Sequence, residues 1–213
     1  GLGCPALMYL TASGVGKIGL VDFDTVSLSN LQRQVLFGGK DIGKLKVDSA
    51  KVRLKQLNPN VKIETYSFRL TQQNIERILF EYDLVLDGTD NYPTRYLINK
   101  NCFKLKKPLL FGAISRWDGQ IGLYHPHYKS ACFECMFPEE DNYEIEETCS
   151  DSGVLGPLVG VIGALMATEA IKYLTKSGTS LNNEIMLYEG LSGEMRRFKT
   201  KSRPKKIKKI INL

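Results

Sequence analysis

The sequence predicts an α/β domain: a mixed sheet with helices on both faces. Three observations lead there. Short apolar runs, Ile18 to Val21 and Leu84 to Leu86, stop at the acidic residues Asp22 and Asp87. Buried parallel strands read this way, and their C-terminal ends are where ligands bind in open α/β sheets. Stretches with helical period alternate with these runs, as in βαβ units. A glycine segment, Gly1-Leu2-Gly3, opens the first helix. At 213 residues and 43% hydrophobic content, the chain has the size of one domain with a real core.

Taken in order, Gly1-Leu2-Gly3-Cys4-Pro5-Ala6 reads as the second half of a glycine-rich phosphate loop. Pro5 stands at a helix start and an apolar helix runs through Leu10. Asp22 follows about 20 residues on, the ribose-binding spacing of a Rossmann-like unit, whose first strand is missing from this sequence. Gly14-Val15-Gly16 closes the helix. Beyond Asp22 and Asp24, Ser29 and Asn30 are helix-capping residues, and Leu31-Gln32-Arg33-Gln34 brings three long polar side chains together. A nucleotide site uses such types: a carboxylate for ribose hydroxyls, amides for polar edges, an arginine for phosphate. The next helix begins near Lys46, with an apolar stripe of Val47, Ala50, Leu54 and Leu57, and ends at Asn58-Pro59-Asn60. Lys46 sits where a helix N-terminus favours anions, within reach of a phosphate.

Val61 to Tyr66 alternates as a strand, and Thr71 to Phe80 reads as a helix. The strand starting at Asp83 runs into Gly88-Thr89-Asp90-Asn91. Asp90 suits Mg²⁺ beside a triphosphate, because Mg²⁺ takes one or two carboxylates plus phosphate oxygens. It also suits capping of the helix from Tyr92 to Leu105, and the two roles are compatible. Strands at Pro108–Ala113 and Gly119–Tyr124 precede a long loop, His125 to Ser152, that carries Cys132, Cys135 and Cys149. The apolar run Val154 to Leu174 contains Glu169, Lys172 and three glycines, and reads as a buried core helix instead of a membrane span. Strands near Glu184–Glu189 and Glu194–Lys199 complete a domain over residues 1–201, followed by a basic tail, 202–213.

From Met195 to Leu213 there are nine Lys or Arg and no acidic residue. Removing those nine from the 29 basic residues leaves 20 against 23 acidic ones, so the body is mildly acidic. The tail reads as a solvated appendage, without a nucleic acid or a membrane as partner. Five cysteines at irregular spacing and no signal peptide fit the reducing cytoplasm.

Together these motifs resemble the ThiF/MoeB/HesA family, bacterial relatives of ubiquitin-activating enzymes. The resemblance covers Gly1 to about Phe198. It rests on Gly-Leu-Gly-Cys-Pro-Ala, Leu-Val-Asp-Phe-Asp-Thr-Val-Ser-Leu-Ser-Asn-Leu-Gln-Arg-Gln, the Lys46 helix, Asp-Gly-Thr-Asp-Asn, Cys-Phe-Glu-Cys, and Gly-Val-Leu-Gly-Pro-Leu-Val-Gly-Val-Ile-Gly. It implies ATP-dependent adenylation of the C-terminal glycine of a small ubiquitin-like sulfur-carrier protein, in thiamine or molybdopterin synthesis, by a homodimer. By position it implies that Gly1 and Gly3 belong to the glycine loop and that Asp22 binds ribose. Ser29, Asn30, Leu31, Gln32 and Arg33 line the nucleotide, with Arg33 on phosphate. Lys46 holds phosphates, Asp90 holds Mg²⁺, and Asn91 flanks it.

Two departures from the family pattern stand out. The family's N-terminal segment, with an arginine that reaches into the partner subunit's site, is not in this sequence. Family members also carry two Cys-x-x-Cys pairs around a structural zinc; Cys132 and Cys135 match the first, and Ser202 to Leu213 has no cysteine. Two thiolates do not close such a site. A metal-free pair of thiols or a second pair lying beyond this sequence is the favoured reading, ahead of completion by His125 and His127, the only histidines, so zinc is doubtful. Cys149 stands where thiamine-type members handle sulfur on the carrier, with a sulfur donor protein as a further partner. Glu144, Glu146 and Glu147 beside it would raise its pKa. An NAD-dependent oxidoreductase shares the glycine loop and the acidic residue, but does not require Arg33, Lys46 and Asp90. A non-catalytic binder of a ubiquitin-like protein is the third reading.

Overall fold

The computed structural model describes residues 1–125, 130–139 and 153–203. The first helix, α1 (Gly3–Ala12), starts two residues earlier than Pro5 suggested. Proline is tolerated in a first turn because its missing N–H has no partner there in any case. Gly14, at φ +79°, ends α1 in the left-handed region. Strand β1 (Lys17–Val21) pairs in parallel with β2 (Lys62–Tyr66), Ile18 opposite Ile63. Ile18, Leu20 and Ile63 face the core.

Helix α2 (Lys46–Leu57) connects the two strands. Val47, Ala50 and Leu54 are buried as the stripe required, whereas Leu57 is 49% exposed. The last turn has already left the core, and Asn58 ends the helix by donating its side-chain amide to Thr11 O at 3.0 Å. Helix α3 is shorter than expected, Ile75–Phe80. Thr71 to Asn74 instead forms a turn, in which Asn74 Oδ1 accepts the Thr71 N–H at 2.9 Å.

Strand β3 (Val85–Asp87) pairs in parallel with β4 (Leu109–Ser115) across helix α4 (Tyr92–Lys104). Strands β5 (Asp118–Tyr124), β6 (Glu184–Glu189) and β7 (Glu194–Lys199) then add in antiparallel order. The described strands make a mixed five-stranded sheet, β3-β4-β5-β6-β7, and a parallel pair, β1-β2. Each of β1 and β3 has a single strand partner. A four-residue helix, α5 (Phe133–Met136), carries Cys135.

Helix α6 (Gly156–Thr175) is the centre of the core. It packs against α1, β4 and β5, burying Leu158, Val159, Ile162, Met166 and Ala170. It is long and apolar enough to cross a membrane by composition alone. Its apolar face is instead spent on the sheet, and its one buried carboxylate, Glu169, accepts from the Leu181 N–H at 3.0 Å and pairs with Lys172. The contact with α1 needs glycine at 163: a Cβ there would lie 2.3 Å from Pro5 Cγ and 2.7 Å from Leu2 O. Through that contact α6 fixes the glycine segment against the ends of the strands. Ser202 is half-buried and its hydroxyl is covered.

Candidate active site

Four of the expected residues meet around the start of the chain. Asp22 stands directly after β1, where the strand's last backbone bond is Asp22 N–H to Tyr66 O, 3.2 Å. Its Oδ1 accepts the Asp24 N–H at 2.9 Å, which folds the strand end into a tight turn. Lys46 is the first residue of α2, and both its backbone N–H and its Nζ hold Asp24: N to the carbonyl at 2.9 Å, Nζ to Oδ2 at 2.8 Å. The lysine is thus ion-paired, with its side chain mostly buried, and does not wait free for a phosphate. Gly1 lies close enough to Asp22, Arg33 and Lys46 to share their electrostatic field.

Arg33 is half-buried and donates from Nη1 to Ser29 O at 3.1 Å. Its segment folds as a 3₁₀ turn over Leu28–Asn30, which Ser27 and Asn30 close as a reciprocal cap. Asn30 therefore caps a turn instead of starting a long helix, and the Ser29 hydroxyl pairs with that of Ser27 at 2.9 Å. Leu31 and Gln32 follow on the same short path, and the main chain of Gln32 touches the start of α6: a Cβ at Gly156 would lie 2.4 Å from Gln32 O.

The second half of the site is the loop after β3. Asp87 is 1% exposed, and its Oδ1 accepts from both N–H and hydroxyl of Thr89, at 2.9 and 2.7 Å. Asn91, not Asp90, caps α4: its Oδ1 accepts the Thr94 N–H at 3.0 Å. The Asp90 carboxylate is consequently exposed, and it accepts from the Asn91 side-chain amide at 3.4 Å. It opens onto a cavity of about 550 Å³ across β4–β7, lined also by Arg95, Ser115, Asp118, Phe133 and Arg196. Arg95, on the first turns of α4, is buried and donates from Nη2 to Thr89 O and to Gly112 O, the latter at 3.2 Å.

The glycine segment joins the two halves. Leu2 packs against Gly88, where a Cβ would lie 3.2 Å from Leu2 Cβ, while Gly1 faces Asp22, Arg33 and Lys46. The acidic ends of β1 and β3 thus meet at one edge, as the sequence pattern requires. Arg95 and the pairing role of Asp24 were not legible beforehand. For Asp24 the signal was a second carboxylate two residues after Asp22. An arginine inside a helix carries no comparable signal, because most face solvent.

Cys132 and Cys135 are buried with their sulfurs 3.1 Å apart. The Cys132 thiol hydrogen-bonds to Cys135 and so pulls the Cys135 pKa down, while its own is driven up. The backbone N–H of Arg203 donates to Cys135 Sγ at 3.5 Å, so the chain after β7 returns to this pair. Among the described residues no group of three or more His, Cys, Asp or Glu side chains is placed to hold a metal. His125 sits beside the Tyr173 ring, the ring centroids 6.1 Å apart. His127 and Cys149 lie outside the described residues.

The sulfur carrier protein adenylyltransferase of Thermus thermophilus is 44% identical over 209 residues, covering 96% of this chain and 77% of the relative. The adenylyltransferase and sulfurtransferase MOCS3 of Culex quinquefasciatus is 42% identical, covering 95% of this chain and 46% of the relative. Among solved structures, the microcin C7 biosynthetic enzyme MccB in complex with N-formylated MccA superposes with a TM-score of 0.83 at 25% identity, over 96% of this chain and 63% of that one. E. coli MccB with ATP gives a TM-score of 0.76 at 25% identity, over 96% and 62%. The chain thus spans about half the length of MOCS3 and less than two thirds of MccB. The ThiF family model matches residues 1–209, nearly the whole chain, and this protein belongs to the ThiF family.

Proposed function

We propose that this protein uses ATP to adenylate the C-terminal glycine of a small ubiquitin-like sulfur-carrier protein, of the thiamine or the molybdopterin pathway. One observation carries the reading: the Gly1–Gly3 segment has Asp22, Arg33 and Lys46 on one side and the Asp90 loop on the other, and the cavity begins at Asp90. The names of the Thermus and Culex relatives support the carrier as substrate, and MccB with ATP supports the nucleotide.

In this reaction a carboxylate oxygen of the carrier bonds to the α-phosphorus of ATP, and the bond from that phosphorus to pyrophosphate breaks. The carboxylate is already ionised at pH 7, so no general base is required. The protein's part is to position the two anions and offset their charge. Asp22 takes the ribose hydroxyls, and Gly1 and Gly3 let the backbone approach phosphate. Ser29, Asn30, Leu31 and Gln32 line the nucleotide. Arg33 and Lys46 face the phosphates; Lys46 reaches them by leaving Asp24. The exposed Asp90 carboxylate fits Mg²⁺, with Asn91 beside it, and the ion supplies neutralisation of the leaving pyrophosphate. The carrier's tail enters along the cavity over β4–β7.

A cytoplasmic homodimer is part of the same reading. So is transfer of sulfur to the carrier through Cys149, with a sulfur donor protein. The test is to incubate the protein with ATP and each candidate carrier and to weigh the carrier. A carrier heavier by one adenylyl group is expected; no mass change with any carrier contradicts the reading.

A further inference from the structure

Arg95 is a buried cation without a counter-ion. It is 8% exposed, and no carboxylate pairs with it among the described residues. One guanidinium nitrogen, Nη2, serves both of its hydrogen bonds, to the Thr89 and Gly112 carbonyls. Phe133 lies under the guanidinium plane, 5.9 Å from carbon to ring centroid. The other N–H groups have no partner among the described residues, and the side chain lines the cavity beside Asp90. Taking a charge out of water is costly unless an opposite charge or full hydrogen bonding compensates. Two carbonyls and a ring fix the direction of this side chain but do not neutralise it. The planar guanidinium presents its free N–H groups as a fork suited to a carboxylate. Aspartate and glutamate side chains outnumber arginines along the cavity walls, and Arg196, the other arginine there, is already paired with Glu194 at 2.5 Å.

We infer that Arg95 is the group that receives the terminal carboxylate of the incoming peptide tail, holding it in the cavity before it reacts. This rests on the adenylation reading, in which the substrate ends in a carboxylate that must pass the acidic Asp90. Arg95 offsets that repulsion, and its backbone-anchored position gives the carboxylate one defined place.

The test uses two labelled peptides ending in Gly-Gly, one a free acid and one a C-terminal amide, with binding read by fluorescence anisotropy. The wild-type protein is expected to prefer the acid by roughly 10-fold or more, the size of one charge-assisted hydrogen bond. Arg95→Gln should lose that preference while its ATP affinity stays within about twofold, a change well below one hydrogen bond. Arg95→Lys should keep part of the preference. Equal binding of acid and amide by the wild type, or an unchanged preference in Arg95→Gln, overturns the inference. Should Arg95→Gln not fold, phenylglyoxal modification of the wild type decides: the acid peptide must protect Arg95 and the amide must not. A preference that depends on Arg95 in a protein that forms no acyl-adenylate would refute the adenylation reading alone.

Discussion

Lys46 Nζ and Asp24 Oδ2 stand 2.8 Å apart, across the turn that follows β1. The pair ties the first residue of α2 to the strand end that carries Asp22, and it holds the lysine a short movement away from the glycine segment. The carboxylate competes with phosphate for that lysine. Asp24→Asn keeps an acceptor for Nζ but removes the competing charge, so ATP should bind about 2- to 10-fold more tightly, the range of an exposed ion pair to a partly buried one. Lys46→Met should weaken ATP binding. Isothermal titration with ATP measures both, and weaker binding by Asp24→Asn would show that the pair serves the nucleotide instead of competing with it.

Capping of α4 separates two neighbours. Asn91 accepts the Thr94 N–H, and Asp90 accepts none of the helix's N–H groups. Asn91→Ala should cost on the order of 1 kcal/mol of stability, the value of an N-cap. Asp90→Ala should leave stability nearly unchanged. Urea unfolding of both variants checks this, and a comparable loss in Asp90→Ala would contradict it.

Gly163 sets the approach of α6 to α1, since a Cβ would meet Pro5 Cγ at 2.3 Å and Leu2 O at 2.7 Å. Gly163→Ala is expected to destabilise by about 1–3 kcal/mol, the cost of overpacking a core. It should also weaken ATP binding, because the displaced atoms belong to the glycine segment. A melting curve and an ATP titration on the same variant read the two effects.

Glu64 on β2 supplies a pH dependence remote from the site. Its carboxyl is held down to about 2 by the hydrogen bond from Lys62, with Tyr66 and Lys17 adding to this against desolvation. A folded-state pKa below the unfolded one gives stability that is present above the unfolded value and lost as pH falls through the folded value. Glu64→Gln should therefore melt below the wild type at pH 7, and the gap should close as pH falls from about 4.5 toward about 2. A gap independent of pH would point to packing instead of charge.

Much of this was legible in the sequence because the informative residues sit at strand ends. Apolar runs that stop at Asp22 and Asp87 announce both the strands and the ligand edge. What the sequence hid depends on competition between near neighbours. Asp90 and Asn91 are equally good caps, and only the backbone path decides that Asn91 takes the Thr94 N–H. Leu57 completes an apolar stripe by spacing, yet the helix end has already moved past the core. Arg95 looks like any helical arginine until α4 is docked on β3 and its guanidinium is enclosed between Thr89, Gly112 and Phe133. Lys46 was placed correctly at its helix start, but its partner Asp24 lies 22 residues away.

The central claim is that Asp22, Arg33, Lys46 and Asp90 form one ATP-using site for a carrier's carboxylate. ATP–pyrophosphate exchange, measured with and without a Gly-Gly-terminated ubiquitin-like carrier, tests it most directly when run beside Asp90→Asn. The account predicts exchange that requires the carrier, and a loss of roughly 100-fold or more in Asp90→Asn, the scale of removing one charged electrostatic stabiliser, at an unchanged melting temperature. Full exchange activity in Asp90→Asn, or no carrier-dependent exchange in the wild type, would contradict it.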